Sequence, residues 1–375
     1  MIIDKNSIIE IFNLAVENHK ENKIEQAQNL YHKVLKLNPR HSETLNNLGV
    51  ISLNLNEYQK ANEYFRKAIK INPNHADAHY NLGSILGDEK EYQKAIPFYK
   101  KAIAINPNYT NAYYNLGLAL KELGDFREAI DCFKKVIEIL PDDIDAYNNY
   151  ASLLGDTYDA KKAKEYLERA IKIDPTNTSL YWNLHGQSSN LDEALSILKK
   201  LYKIDDKHTR SKITISALEG YKGNFDYFND ILSSADSNHP YTRSIKWIFS
   251  LSKLPKIFFN RLNFFDAIIS LTENSRPFYE FGVWKGYSFQ YLMNTFKKGF
   301  GFDTFTGLPE VWHNNKEGTY SAFGKVSEIK GGEFIVGKFE DTLPKFFSKD
   351  RPLASLINFD ADLYSSTLCA LKYSN

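Results

Sequence analysis

The sequence predicts an α-helical solenoid followed by a partial α/β doubly wound domain. Two observations lead to this fold class. The same residue types recur every 34 positions through the first part of the chain, which is typical of stacked helix pairs. Near the C-terminal end, a strand, a glycine-bearing turn, a helix and a second strand ending in an acid follow one another between Pro277 and Asp303. The chain therefore combines a repeat array with a sheet-containing region.

The period is clearest in residues 76–109, where an Asn-Leu-Gly triplet at Asn81 is followed by two alanines, an aromatic residue and an Asn-Pro pair. The same residue types stand at the corresponding positions, which we call slots, one period earlier and one period later. The sixth repeat is about three residues short, and the seventh is degraded. The repeats are predicted to begin at Ile8, Ser42, Ala76, Thr110, Ile144, Thr178 and Thr209.

Each repeat is predicted to form two helices. Gly83, Ala95 and Ala102 are small because two helices cross closely at these positions, and Tyr99 fills the space between neighbours. The Asn-Pro pair at 106–107 ends the second helix, because the residue before a proline is driven out of the helical region. One such pair cannot bury its own apolar face, so several must stack.

This pattern resembles the tetratricopeptide repeat family over residues 8–240. The resemblance implies a superhelix that binds a protein or peptide on its curved inner face. One slot favours that function, since an asparagine stands in it in all six clear repeats. A line of amides can bond the backbone of an extended peptide, because an amide both donates and accepts hydrogen bonds. It resembles the asparagine ladder of O-linked N-acetylglucosamine transferases, although asparagine is also simply common at this slot. The ladder consists of Asn13, Asn47, Asn81, Asn115, Asn149 and Asn183.

Composition excludes several other classes of protein. The formal net charge is +1 and no basic stripe is present, so nothing favours nucleic acid as a partner. Cys132 and Cys369 are the only cysteines, which favours a reducing, cytoplasmic compartment over a disulfide framework. The first 18 residues carry acids within an apolar pattern and read as an amphipathic helix, not as a signal peptide. No apolar run is long enough to predict a membrane span.

Residues 241–275 are predicted to be a helical connector interrupted at Pro255. Basic residues beside Phe258, Phe259 and Phe264 are compatible with a helix lying on a membrane surface. The alternative, which the few basic residues and the interruption favour, is a helix packed between the array and the next domain.

In residues 276–375 the spacing of the apolar residues changes from that of the repeats. A buried strand ends near Phe281, glycines follow at 282 and 286, and a second strand ends at Asp303. In doubly wound sheets such glycines let the backbone approach a ligand, and an acid at the end of the second strand accepts hydrogen bonds from ribose hydroxyls. A structural turn would show the same glycine spacing.

Four segments of this region resemble, in order, the motifs of the macrocin O-methyltransferase family. They are residues 280–288 (EFGVWKGYS), 303–309 (DTFTGLP), 337–344 (GKFEDTLP) and 360–367 (DADLYSST). The resemblance implies a class I, Rossmann-like fold, S-adenosylmethionine as cofactor, a Mg²⁺ ion, and methyl transfer to a hydroxyl group, often that of a sugar.

The resemblance also implies roles for individual residues. Asp360 would be a catalytic metal ligand with Asp362 close by, since carboxylate oxygens suit Mg²⁺. The ion would hold the acceptor hydroxyl and lower its pKa. The insertion at 310–330, with Trp312 and His313, would form a substrate lid. The cofactor would be surrounded by Glu280, Gly282, Gly286, Ser288 and Asp303.

The family's pattern continues beyond the aspartate motif with a fifth strand and a second acidic pair, which are absent here. Residues 353–359 (LASLINF) are therefore predicted to form an apolar strand with an unpaired edge. This favours a fragment, a partner that covers the edge, or a relic domain.

Two hypotheses follow. In the first, the array recruits an acceptor or its carrier protein, and the C-terminal domain methylates a hydroxyl. In the second, the chain is a non-catalytic interaction scaffold with an incomplete methyltransferase tail. A glycosyltransferase is disfavoured because no sugar-nucleotide motif is present.

Overall fold

The computed structural model describes residues 5–157, 159–307, 321, 322, 324, 326, 328–360 and 364–374. The chain divides into two compact units, Met1–Pro141 and Asp142–Asn375.

The first unit consists of helical hairpins in its described residues. The helices that open the second, third and fourth repeats begin at the predicted residues, and the first begins slightly earlier, at Lys5. The helices are α1 (Lys5–Lys20), α2 (Ile24–Leu37), α3 (Ser42–Asn54), α4 (Tyr58–Ile71), α5 (Ala76–Asp88), α6 (Tyr92–Ile105), α7 (Thr110–Glu122) and α8 (Phe126–Ile139).

Two kinds of turn connect these helices. Within three hairpins the chain reverses through a left-handed residue, at Asn22, Asn56 and Lys90. Between hairpins, the asparagine before each proline leaves the helix. The side-chain oxygens of Asn72 and Asn106 then accept the backbone N–H two residues on, at 3.0 and 3.1 Å. The prediction that Asn-Pro ends the second helix is therefore confirmed, and the asparagine side chain stabilises the turn that follows.

Close helix crossing explains the glycine slot. A Cβ atom added to Gly83 would lie 2.8 Å from the ring of Tyr99, and one added to Gly49 would lie 2.5 Å from the ring of Phe65. Such contacts are shorter than packed atoms allow. The glycine on the first helix is therefore matched to the aromatic residue on the second, as the sequence predicted.

The second unit begins with three further hairpins. The short sixth repeat is confirmed, since its first helix has only 8 residues. The helices are α9 (Ile144–Thr157), α10 (Ala160–Ile173), α11 (Thr178–His185), α12 (Leu191–Ile204), α13 (Thr209–Tyr221) and α14 (Asp226–Leu232).

The connector contains a 3-10 helix (Ala235–Asn238), α15 (Pro240–Phe249) and α16 (Arg261–Ile269). Phe259 packs against the core of α12 and α13, and Phe265 of α16 is buried in the core beneath the sheet. Phe264 is 43% exposed. The packed alternative is therefore confirmed for Phe259, whereas the environment of Phe264 stays a prediction.

The last hundred residues form a small parallel sheet with helices. Its strands lie in the order β3-β2-β1-β4, and β1 is paired on both sides. Helix α17 follows β1, α18 follows β3, and α19 follows β4. The elements are β1 (Phe278–Phe281), α17 (Tyr287–Met293), β2 (Gly299–Asp303), β3 (Gly332–Val336), α18 (Phe339–Phe347), β4 (Leu356–Phe359) and α19 (Tyr364–Ser374).

Alternate residues of β1 pack into two different cores. Phe278 lies in a cluster with Phe289 of α17, whereas Tyr279 and Phe281 lie in a cluster with Phe346 of α18. Strand β4 pairs with β1 alone among the described residues, and Leu353 just before it is 75% exposed. The predicted apolar edge strand is therefore confirmed for Leu356–Phe359, whereas residues 353–355 precede the strand.

Candidate functional site

The asparagine slot lies on the first helix of each repeat. Asn13 is exposed, whereas the other five asparagines of the slot are partly buried. Partial burial means that their amides have protein partners as well as access to solvent, so the bonds that they make decide what remains for a ligand.

In the first unit, the amide groups of the slot join neighbouring repeats. The Nδ2 of Asn81 donates to Oδ1 of Asn46 at 3.0 Å, and Asn46 donates in turn to Asn47 at 3.5 Å. Asn47 then donates to the hydroxyl of Tyr31 at 3.1 Å. This chain of hydrogen bonds runs across three successive repeats.

A similar bond to the preceding repeat is made at two further positions of the slot. Asn115 donates to the hydroxyl of Tyr80 at 3.3 Å, and Asn183 donates to Oδ1 of Asn148 at 2.7 Å. Asn149 instead donates to a carbonyl of its own helix, at Asp145. The structure therefore gives the slot a role in joining repeats, which the sequence pattern did not indicate.

The oxygen of the amide is left for a ligand, together with the second N–H group of Asn81 and of Asn183. Within the part of the chain that the structure describes, no donor reaches the Oδ1 atoms of Asn81, Asn115 or Asn183. The oxygens of Asn81 and Asn115 belong to the same position of two successive hairpins of the first unit. They can accept hydrogen bonds from outside the array.

A second group of predicted residues meets where the strands of the sheet end. We call Glu280, Gly282, Gly286, Asp303 and Asp360 the strand-end cluster. Because the strands are parallel, the ends of β1, β2 and β4 lie at the same edge of the sheet. The chain order reverses between β1 and β4, and ligands of such sheets bind in the crevice at this point.

The loop after β1 has an unusual backbone. Gly282, Trp284 and Gly286 all have positive φ angles, of 89°, 48° and 77°. Glycine adopts this region without strain, but a tryptophan does not. The backbone N–H of Trp284 donates to Oδ2 of Asp303 at 2.8 Å, and this bond holds the loop.

Asp303 fixes a second loop as well. Its Oδ1 accepts the backbone N–H of Phe305, another residue with positive φ, at 2.7 Å. The predicted ribose acceptor is thus placed at the end of β2, where it joins the loops after β1 and β2. Each carboxylate oxygen can accept more than one hydrogen bond, so the ribose role stays a prediction.

Glu280 is fully buried on β1, beside the loop. Its Oε1 accepts hydrogen bonds from the hydroxyl of Ser288 and from Nδ2 of Asn358, the latter at 2.8 Å. Its Oε2 has no partner among the described residues. Burial raises the pKa of Glu280 to about 8. A buried polar atom without a partner is costly, so a ligand at this edge would gain from bonding it.

Asn358 was not predicted as a site residue. It lies directly opposite Glu280 in the pairing of β1 with β4. The sequence offered one signal, its position two residues before Asp360, which places Asn358 on the strand that Asp360 follows. The pairing itself, however, depends on the order of strands in the sheet.

Asp360 follows β4, and its backbone N–H donates to the carbonyl of Phe281 at 2.8 Å. Its Oδ2 accepts a hydrogen bond from the guanidinium of Arg261, the first residue of α16, at 2.5 Å. About half of each side chain is exposed. No pattern in the sequence indicated Arg261, because it is 99 residues away. Asp362 and the lid residues Trp312 and His313 lie outside the described residues.

The described residues contain no group of three or more His, Cys, Asp or Glu side chains arranged to hold a metal ion. The carboxylate expected to bind Mg²⁺ is paired with an arginine. We therefore derive no chemical step through a metal, and Mg²⁺ at Asp360 stays a prediction.

Across the described residues, the structure has no helix that is both long and apolar enough to cross a membrane.

Comparison with known proteins identifies the repeats. Tetratricopeptide repeat models match residues 42–75, 74–142 and 120–188. No curated protein matches the chain.

Several solved structures are similar. The C-terminal part of a TPR repeat-containing protein from Cytophaga hutchinsonii is 17% identical, with a TM-score of 0.52, over 62% of this chain and 98% of that one. MamA from Desulfovibrio magneticus RS-1 is 25% identical, with a TM-score of 0.40, over 45% and 96%. YrrB, described as a TPR protein with an unusual peptide-binding site, is 20% identical, with a TM-score of 0.46, over 48% and 95%. The first likeness shows the solenoid fold, and residues 42–188 of this chain are tetratricopeptide repeats.

Proposed function

We propose that the chain is a protein–protein interaction scaffold whose array binds an extended segment of a partner protein. The tetratricopeptide repeats at residues 42–188 support this proposal, because such repeats imply an interaction scaffold. Stacked repeats present one slot many times along one line, which suits an extended ligand.

The observation that carries the proposal is the set of amide oxygens in the asparagine slot. Asn81 uses one N–H group and Asn115 uses its Nδ2 group inside the array, and the oxygens of both accept nothing from the described residues. Both oxygens are therefore left as acceptors, and the matching groups on a peptide are its backbone N–H groups. Recognition of this kind depends little on the side chains of the peptide.

The test uses peptides and leaves the protein unchanged, because each asparagine also joins repeats. Peptides are selected from a displayed random library on the purified chain. The best binder is then examined in two series, one with single alanine substitutions and one with single backbone N-methylations. We expect each N-methylation at one of a set of regularly spaced peptide positions to weaken binding by about tenfold. This corresponds to the loss of one hydrogen bond of about 1.4 kcal/mol.

Two results would count against the proposal. A folded array that selects no peptide does not act as a peptide-binding scaffold. A binder that loses affinity in the alanine series alone is held by its side chains, and the asparagine oxygens then have no part in binding.

We also propose a second function, the binding of S-adenosylmethionine by a Rossmann-like fold in residues 276–375. The single observation that favours it is Oε2 of Glu280, a buried atom without a described partner at the strand ends. The resemblance to macrocin O-methyltransferases assigns the same residue to the cofactor. In its enzymatic form, the function would be methyl transfer to a hydroxyl of a sugar-type acceptor.

The residues of the strand-end cluster fit such a ligand. Gly282 and Gly286 lack side chains, so ligand atoms can approach the loop backbone. Asp303 keeps lone pairs for ribose hydroxyls, and Glu280 offers one oxygen to a polar group. When bound, S-adenosylmethionine would supply an electrophilic methyl group, and this edge would orient it and exclude water.

Calorimetry tests the second function directly. S-adenosylmethionine is titrated into the full chain with and without Mg²⁺, and Asp303→Ala is compared with Asp350→Ala. Asp350 is an exposed acid between α18 and the start of β4, so it precedes a strand and does not follow one. We expect saturable binding that Asp303→Ala abolishes and Asp350→Ala preserves. Absence of heat from a folded wild-type chain would leave the scaffold as the function.

A further inference from the structure

The ion pair of Arg261 and Asp360 stands beside Glu280, at the strand-end cluster. The guanidinium meets Oδ2 of Asp360 at 2.5 Å. Both groups act on Glu280: after burial and its hydrogen bonds, Asp360 raises and Arg261 lowers the pKa of that carboxyl. A positive and a negative group therefore lie together at the edge where the predicted cofactor residues meet.

Arg261 is held in place by its neighbours. Asn260, only 4% exposed, accepts the N–H of Leu262 and so caps α16, while its Nδ2 donates to the carbonyl of Gly155 at 2.9 Å. The guanidinium also lies 5.5 Å from the ring centroid of Phe265, which is buried. The guanidinium therefore extends from the first residue of a helix whose N-terminus is fixed by hydrogen bonds. A side chain held on such a fixed element is suitable for recognising a ligand.

The pair has unused bonding capacity. A guanidinium has five N–H donors in a fixed fork, and the contact with Asp360 is made by one nitrogen. About half of each side chain is exposed, so a ligand can reach both. An anion would be attracted by Arg261 but repelled by Asp360, and a simple cation would meet the reverse. A group carrying both charges gains from both partners.

We propose that the Arg261–Asp360 pair binds the zwitterionic amino-acid end of the ligand, with the carboxylate at Arg261 and the ammonium at Asp360. This inference rests on the second proposed function and assigns one end of that ligand to two residues. It makes Arg261 a specificity-determining residue supplied by the connector and not by the sheet.

Two ligands that share a nucleoside test this assignment. S-adenosylhomocysteine carries the amino-acid end, whereas 5′-methylthioadenosine lacks it. We expect the wild-type chain to bind the first at least tenfold more tightly. Arg261→Gln should reduce this ratio to near one, by weakening S-adenosylhomocysteine alone. A tenfold change corresponds to about 1.4 kcal/mol, as expected for one charge-assisted contact.

Two further variants control for charge and for folding. Arg276→Gln removes an arginine that is also 50% exposed and paired, with Glu273 at 2.9 Å, and it should leave the ratio unchanged. Arg261→Lys keeps the charge but loses the fork, so it should retain only part of the preference. The thermal stability of each variant is measured beside that of the wild type, so that a loss of fold is recognised.

The outcomes separate the two proposals. If both ligands bind the wild-type chain equally, or if Arg261→Gln leaves the ratio intact, the role of the ion pair is overturned and the nucleoside site survives. If neither ligand binds a folded wild-type chain, the proposed cofactor site fails and the ion pair's role fails with it.

Discussion

The carboxyl group of Glu280 lies inside the sheet region without full compensation for its burial. Burial is the main cause that raises its pKa from 4.5 to about 8. The unfolded chain releases this proton near pH 4.5, whereas the folded chain keeps it until about pH 8. The folded state therefore binds more protons within this window, and its stability falls as the pH rises through the window.

We predict that Glu280→Gln removes this pH dependence. Gln keeps an oxygen that accepts from Ser288 and Asn358 but carries no charge to desolvate. The variant should match the wild type in stability near pH 4.5 and exceed it near pH 8, by up to about 4 kcal/mol if the whole shift is expressed. Denaturant unfolding at several pH values measures the difference.

The matched control for this residue is Glu333→Gln, since Glu333 is a half-exposed acid of β3 that pairs with Lys298. Its substitution should give a difference from wild type that does not grow between pH 4.5 and pH 8. If the difference in free energy of unfolding between the wild type and Glu280→Gln does not change with pH, the prediction is wrong.

Within the second, third and fourth hairpins, a glycine on the first helix faces an aromatic ring on the second. The pairs Gly83–Tyr99 and Gly117–Phe133 have the same spacing and similar short distances to an added Cβ, of 2.8 and 2.9 Å. The ring fills the space between the helices completely, so the distance between the helices is set at this contact.

We predict that Gly83→Ala destabilises the first unit by about 1–3 kcal/mol, because the added methyl group overlaps the ring of Tyr99. The control is Gly186→Ala, at the end of α11, where an added Cβ would lie 3.4 Å from its nearest neighbour. That change should stay within about 0.5 kcal/mol. Thermal unfolding of both variants measures the contrast, and equal losses would show that the glycine slot is not set by packing.

At the scale of the molecule, the second unit combines three repeats, the connector and the sheet. Asn260 is the polar link between them. It caps α16, and its Nδ2 donates to the carbonyl of Gly155 in the last turn of α9 and to the side chain of Gln187 after α11. Because the bond to Gly155 is buried and the other two are partly buried, they fix where the connector leaves the repeats. The predicted domain boundaries near residues 240 and 275 remain predictions.

We predict that Asn260→Ala costs about 2–3 kcal/mol, since it removes a helix cap, a buried hydrogen bond to Gly155 and a partly buried one to Gln187. Asn190→Ala is the control, because Asn190 caps α12 through the N–H of Glu193 at 2.9 Å without a second partner element. That variant should cost about 1 kcal/mol. Chemical denaturation compares the two, and similar losses would mean that the link between connector and repeats adds no stability.

How much of this fold could be predicted depends on the range of each interaction. The sequence by itself determined the helix pairs and their boundaries, because small residues, aromatic residues and Asn-Pro turns act within one repeat. It also determined the alternation of strands and helices in the last region, and it indicated Glu280, Gly282, Gly286 and Asp303 as residues that meet at strand ends.

Only the tertiary structure decided what these residues touch. Arg261 reaches Asp360 across 99 residues, and Asn358 faces Glu280 through strand pairing. Asn81, Asn115 and Asn183 each donate to the preceding repeat, and their oxygens accept nothing from the described residues. A local pattern names residue types at a spacing, whereas partners are chosen by packing between distant segments. Burial, charge pairing and hydrogen-bond direction therefore appeared only once the chain was folded.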